Sequence, residues 1–129
     1  MLGRNWVSGF IDKIDSGGRL VNVAFIGNVT SVGDGDKFLT GIVGENWKGY
    51  VEKAYVEANI KGKRAKAAGI SYWSQNSGDN NAVGRDGAIK KSVVKGSIDV
   101  EKPIEVGGAV GSLNYLGYIE DTVAMMKVK

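Results

Sequence analysis

The stretch GYVEKAYVEANI, Gly49 to Ile60, opens on a glycine and then places apolar or small residues at Val51, Ala54, Val56 and Ile60. The same skeleton returns in GAIKKSVVKGSI from Gly87 and in GYIEDTVAMMKV from Gly117. An earlier copy is GRLVNVAFIGNV from Gly18. The anchor glycines are separated by 31, 38 and 30 residues. Offset two from the anchor holds Leu20, Val51, Ile89 and Ile119. Offset five holds Val23, Ala54, Ser92 and Thr122, offset seven Phe25, Val56, Val94 and Ala124, and offset eleven Val29, Ile60, Ile98 and Val128.

A second block precedes each anchor. It reads GFID from Gly9, GIVG from Gly41, GISY from Gly69 and GAVG from Gly108. Block and anchor lie 9, 8, 18 and 9 residues apart, so the third unit carries an insert around SQNSGDNNAVGRD. The two-residue step from offset five to seven is strand periodicity. The fillers are Val, Ile, Tyr, Phe and Thr, which suit a pleated surface. A helix over ENWKGYVEKAYVEANIKGKRAKAA competes, but Gly49 and the β-branched residues weaken it.

One such unit cannot bury its apolar side alone, whereas stacked units bury a continuous core between neighbours. The repeat therefore predicts an all-β fold: a small parallel β-helix of about four coils, right-handed as parallel crossovers are. The expected units are roughly 6–30, 38–62, 67–100 and 106–129, in a single repeat domain over 1–129, a fragment of a larger protein with both ends open. A compact barrel or sandwich of the same strands is the alternative. In the β-helix, like-offset residues form ladders, glycines supply φ > 0 at the corners, and small residues at offset five fit a crowded corner. Offset three alternates in sign through Glu52, Lys90 and Glu120, as stacking favours.

Composition bounds the function. The chain has 129 residues, 20 glycines, one proline and no cysteine or histidine. Disulfides, thiol nucleophiles, Ser-His-Asp triads and HExxH zinc sites are thereby excluded within it. A net charge of +3 from 17 basic and 14 acidic residues of mixed placement is no nucleic-acid footprint. The basic run KGKRAK, Lys61 to Lys66, reads as a solvated loop, with a docking patch for an acidic partner as the alternative. No run of about 18 apolar residues suggests membrane insertion, and MLGRNWVSGF is no signal peptide. The GGAVG cluster at Gly107 lacks nucleotide-loop spacing, and DNNAVG at Asp79 lacks the ligands of an EF-hand. Asn28 opens a glycosylation sequon, NVT.

The aromatic residues are the better functional lead. Trp6, Trp47 and Trp73 are expected near loops or corners. Trp47, Trp73, Tyr72, Asn80, Asn81 and Arg85 are candidate partner-binding residues, because loop aromatics beside amides and a guanidinium suit protein or sugar recognition. The insert Ser74 to Asp86 is the best single segment, since solenoid insertions emerge as loops on one face.

The pair GIVGENWKGYVEKAYVEANIKG and GGAVGSLNYLGYIEDTVAMMKV resembles the GLUG-type repeat of bacterial surface proteins. The run YIEDTVAMMKVK after such a block is similar to the non-catalytic repeat region of the large streptococcal zinc metalloproteases, including the immunoglobulin A-specific proteases. That resemblance implies a secreted, wall-attached, modular parent whose zinc site lies in a separate catalytic part. It implies no cofactor in this chain, and as partners the other domains of the same polypeptide and host immunoglobulin. An adhesin repeat that binds host protein or glycan is the alternative.

Overall fold

A computed structural model describes residues 2–3, 6–15, 18–31, 37–47, 49–75, 88–114 and 118–129. They form strands and no helix. Two short strands, β1 (Leu2–Gly3) and β2 (Trp6–Ser8), precede four repeated turns of chain. The first turn contains β3 (Ile11–Ile14), β4 (Arg19–Val21), β5 (Ala24–Ser31) and β6 (Lys37–Thr40). The second contains β7 (Val43–Trp47), β8 (Tyr50–Glu52) and β9 (Tyr55–Ala68). The third contains β10 (Ser71–Gln75), β11 (Ala88–Lys90) and β12 (Val93–Gly107). The fourth contains β13 (Val110–Asn114), β14 (Tyr118–Glu120) and β15 (Val123–Val128).

Every pairing among these strands is parallel. Three sheets result. Sheet A joins β5, β9, β12 and β15, with β1, β2 and β6 alongside. Sheet B runs β13-β10-β7-β3, and sheet C runs β14-β11-β8-β4. Each coil thus visits B, C and A in turn, which is a three-sided parallel β-helix and not a closed barrel.

The registers are those the repeat predicts. Leu20 pairs Val51, Val51 pairs Ile89, and Ile89 pairs Ile119. Val29, Ile60, Ile98 and Val128 align in the same way, as do Phe25, Val56, Val94 and Ala124. In the middle coils Val51, Val56, Ile60, Ile89, Val94 and Ile98 are all fully buried. Full burial of each such side chain contributes about 1.5–3 kcal/mol relative to exposure. The ladders are therefore the core.

The two repeated blocks meet inside each coil. A Cβ on Gly41 would collide with the Gly69 carbonyl oxygen and sit 2.6 Å from Val56 Cγ1. A Cβ on Gly69 would collide with the Gly108 carbonyl and with Val94 Cγ2. A Cβ on Gly9 would collide with the Gly41 carbonyl and come within 2.7 Å of the Phe25 ring. Glycine recurs here because the backbone of the next coil and the offset-seven side chain leave no room.

Left-handed backbone lies elsewhere, which corrects the expectation for the corners. Among described glycines only Gly96 has positive φ. The left-handed positions are Asn22, Lys53, Lys91 and Asp121, with φ between 48° and 56°, at offset four in every coil. Offset five supports this corner. Ser92 Oγ donates to Lys90 O at 2.8 Å and accepts from Ala54 N at 3.1 Å. Thr122 Oγ1 repeats the pattern one coil on, donating to Glu120 O at 3.0 Å and accepting from Ser92 N at 3.4 Å.

The run KGKRAK is strand, not loop. It lies inside β9, where Lys61, Lys63 and Arg64 are exposed and Ala65 is buried. Pairing with β12 along one side and with β5 and β6 along the other holds it extended. Pro103 sits at a register shift in β12, beyond the segment that β15 covers. A residue without an N–H is tolerated at such a bulge on a free edge.

Candidate functional site

Strand alternation sorts the outer face of sheet B. Asn46 and Ser74 point inward, nearly or fully buried, and share a 3.1 Å hydrogen bond in which Asn46 Nδ2 donates. Trp47 and Trp73, one residue off, point the other way and are half-buried. Their rings meet edge to face, with centroids 6.1 Å apart at 67°. Such a pair contributes about 0.5–1.5 kcal/mol beyond its area. Lys13 Nζ lies 5.4 Å from the Trp47 ring centroid and 3.9 Å from Asp15. Lys13, Glu45 and Trp73 occupy one register row. The tryptophans thus stand on strands and not on loops, and they build an aromatic patch flanked by both signs of charge. Trp73 Nε1 is buried with no acceptor among the described residues.

Tyr72 does not share that patch. It is 6% exposed, at the junction of sheets A and B. Its ring packs 5.0 Å from Phe38 at 64°. Its hydroxyl donates to Glu105 Oε2 at 2.7 Å and accepts from Lys66 Nζ at 3.1 Å. Burial pushes its pKa up, Lys66 opposes this and Glu105 adds to it. The group reads as a structural clamp across sheets. Asn80, Asn81, Arg85 and the insert from residue 76 to Asp86 lie outside the described residues.

Two features escaped the sequence reading. Lys13 and Glu45 join the tryptophan face because they stand four residues after the block glycines Gly9 and Gly41, as Trp73 does after Gly69. Counting from the block glycine, not from the anchor, would have found them. Phe38 and Glu105 reach Tyr72 only through the sheet A register, Phe38 to Lys66 and Lys66 to Glu105.

Two concavities are lined mainly by polar and charged side chains. One of about 560 Å³ is lined by Arg19, Tyr50, Glu52, Lys90, Lys91, Glu120 and Asp121. Its charges already meet one another: Lys90–Glu120 at 3.0 Å and Lys91–Glu52 at 3.8 Å. A second, of about 320 Å³, lies over the ladder in which Ser97 Oγ donates to Asn59 and Asn59 donates to Asn28. The described residues do not fit a zinc site. The sequence offers neither His nor Cys, and no three carboxylates converge among the described residues.

Comparison with known proteins adds one finding. The chain is 35% identical over 92 residues to Zinc metalloprotease ZmpB of Streptococcus pneumoniae, a match that covers 68% of this chain. The chain is related to a region of a zinc metalloprotease. It spans about 5% of that relative's length. No family model matches the chain, and no solved structure does. Among the described residues no helix is long and apolar enough to cross a membrane.

Proposed function

We propose that this chain is a non-catalytic scaffold or substrate-recognition module of a secreted, wall-attached zinc metalloendopeptidase of the immunoglobulin A protease type, built from GLUG-type repeats. The observation that carries the reading is the similarity to a small region of a zinc metalloprotease, in a sequence without a single histidine. Zinc would belong to another part of the polypeptide. The β-helix supplies a rigid rod, and the Trp47–Trp73 patch with Lys13 supplies its outer recognition surface. Tryptophan beside a cation suits a protein partner, and host immunoglobulin is the partner this reading names. The module would act at the bacterial surface, outside the cell.

Deleting the module from the full-length protease tests this. Cleavage of intact immunoglobulin should fall several-fold, while cleavage of a short peptide spanning the scissile bond stays unchanged. Equal rates on the intact substrate with and without the module would contradict a recognition role. Binding of the isolated chain to host glycan, with no metalloprotease sequence in the same polypeptide, would favour an adhesin. The half-buried aromatic pair on the outer face of sheet B keeps that second reading in view.

A further inference from the structure

The outer face of sheet A carries a hollow that neither the tryptophan patch nor the core explains. It holds about 320 Å³ and is lined by Asn28, Thr30, Asn59, Lys61, Ser97 and Lys129. Every one of these side chains is polar or cationic, and none is a carboxylate. Strand register builds it. Asn28, Asn59 and Ser97 form one row across β5, β9 and β12. Rungs about 4.8 Å apart make that row about 10 Å long. Ser97 Oγ donates to Asn59 Oδ1 at 2.9 Å, and Asn59 Nδ2 donates to Asn28 Oδ1 at 3.3 Å. These bonds fix the facing of the Asn59 amide. Its second N–H and the Ser97 lone pairs are left for another molecule. A row held in place before binding loses little freedom on binding.

Charge surrounds the row unevenly. Lys127 follows Ser97 in it, and Thr30 and Lys61 pair in a second row two residues along the same face. Lys61, Lys127 and Lys129 are exposed and make no ion pair among the described residues. The carboxylates nearby are engaged or set aside. Glu57, one row back, meets Lys95 at 3.3 Å and the Tyr55 hydroxyl at 2.9 Å. Asp99, in the row of Lys61, lines a neighbouring hollow together with Glu101.

We propose that this hollow binds a linear acidic glycan, one whose sugar rings carry carboxylates. Ring hydroxyls meet the amides and hydroxyls of the row, and ring carboxylates meet Lys61 and its neighbouring lysines through charge-assisted hydrogen bonds. The row is longer than one small anion can span. A peptide is disfavoured because β9 and β12, which carry the centre of the row, have both edges paired there. An added strand would find no free main-chain groups on them.

Titrating the isotope-labelled chain with hexagalacturonate, followed through its amide resonances, tests this. Shifts are expected at the Asn28 and Asn59 side-chain amides and at Lys61. The methyl-esterified hexamer, which lacks the charge, should bind at least about tenfold more weakly. Asn59→Ala should raise Kd about tenfold and leave Tm nearly unchanged, since Asn59 is exposed. Asp99→Asn should tighten binding by removing a like charge beside Lys61. Absence of shifts at millimolar ligand, or equal binding of the ester, would overturn the proposal. So would equal affinity for poly-L-glutamate, or shifts centred on the Trp47 and Trp73 indoles. The site is on sheet A and the readout involves no proteolysis, so this proposal and the module reading can fail separately.

Discussion

Two corners of each coil solve the same turning problem with opposite chemistry. At the entry to sheet B the chain uses glycine: Gly9, Gly41, Gly69 and Gly108. At the exit from sheet C it uses Asn22, Lys53, Lys91 and Asp121, all with left-handed backbone. The glycine corner is set by proximity: at Gly9, Gly41 and Gly69 a neighbouring carbonyl occupies the space of a Cβ, and at Gly108 the Ala124 Cβ lies 3.0 Å from that position. The other corner is set by dihedral angle, with its side chains free to point outward. Left-handed backbone costs a non-glycine residue roughly 1–2 kcal/mol, which the Ser92 and Thr122 hydroxyls help to offset by bonding backbone within and between coils. A glycine in a repeat thus marks tight approach as readily as it marks a turn.

The sharpest way to break this contrast is Gly69→Ala. The added methyl meets the Gly108 carbonyl and Val94 at once, so stability should fall by about 3 kcal/mol, the upper end for overpacking. Chemical denaturation of the two proteins measures it, and a loss below 1 kcal/mol would show that the corner can breathe. Next comes Ser92→Ala, which leaves the buried Ala54 N–H without its acceptor. The expected loss is about 1–3 kcal/mol. A neutral result would mean that the offset-five hydroxyls are incidental.

Smaller still is the response of the left-handed corner itself. Lys53→Gly should leave stability unchanged or raise it by up to about 1 kcal/mol, and Lys53→Val should lower it by a similar amount. Equal effects of the two would refute the dihedral explanation. The outer rungs give the smallest effect. The Tyr55 hydroxyl and then Lys95 hold the Glu57 carboxyl below its ordinary value of 4.5. A depressed folded-state pKa stabilises above the unfolded value and stops doing so as pH falls through the folded one. Glu57→Gln should therefore lower stability slightly at neutral pH and flatten the decline on the acid side, so that the two proteins converge at low pH.

The ladders were legible in the sequence because stacking conserves offsets. Leu20, Val51, Ile89 and Ile119 share a position in the repeat and so share a column in the molecule. The dihedral corner was not legible, since lysine carries no marker for positive φ and the eye goes to glycine first. The length of β9 was hidden by charge: Lys61, Lys63 and Arg64 resemble a loop until β12 is seen beside them. At the candidate site, Trp47 and Trp73 were visible as aromatics beside repeated glycines. Their contact, and the separation of Tyr72 from them, depends on strand alternation and on the pairing of Trp47 with Gln75 across coils.

The central claim is parallel, in-register stacking of successive coils. Methyl-resolved NOE spectroscopy on the isolated chain tests it directly. The account predicts cross-peaks joining Val51 to Ile89 and Ile60 to Ile98. Cross-peaks that place Val56 opposite Ile98 and Ile60 opposite Val94, the signature of an antiparallel hairpin between β9 and β12, would contradict it.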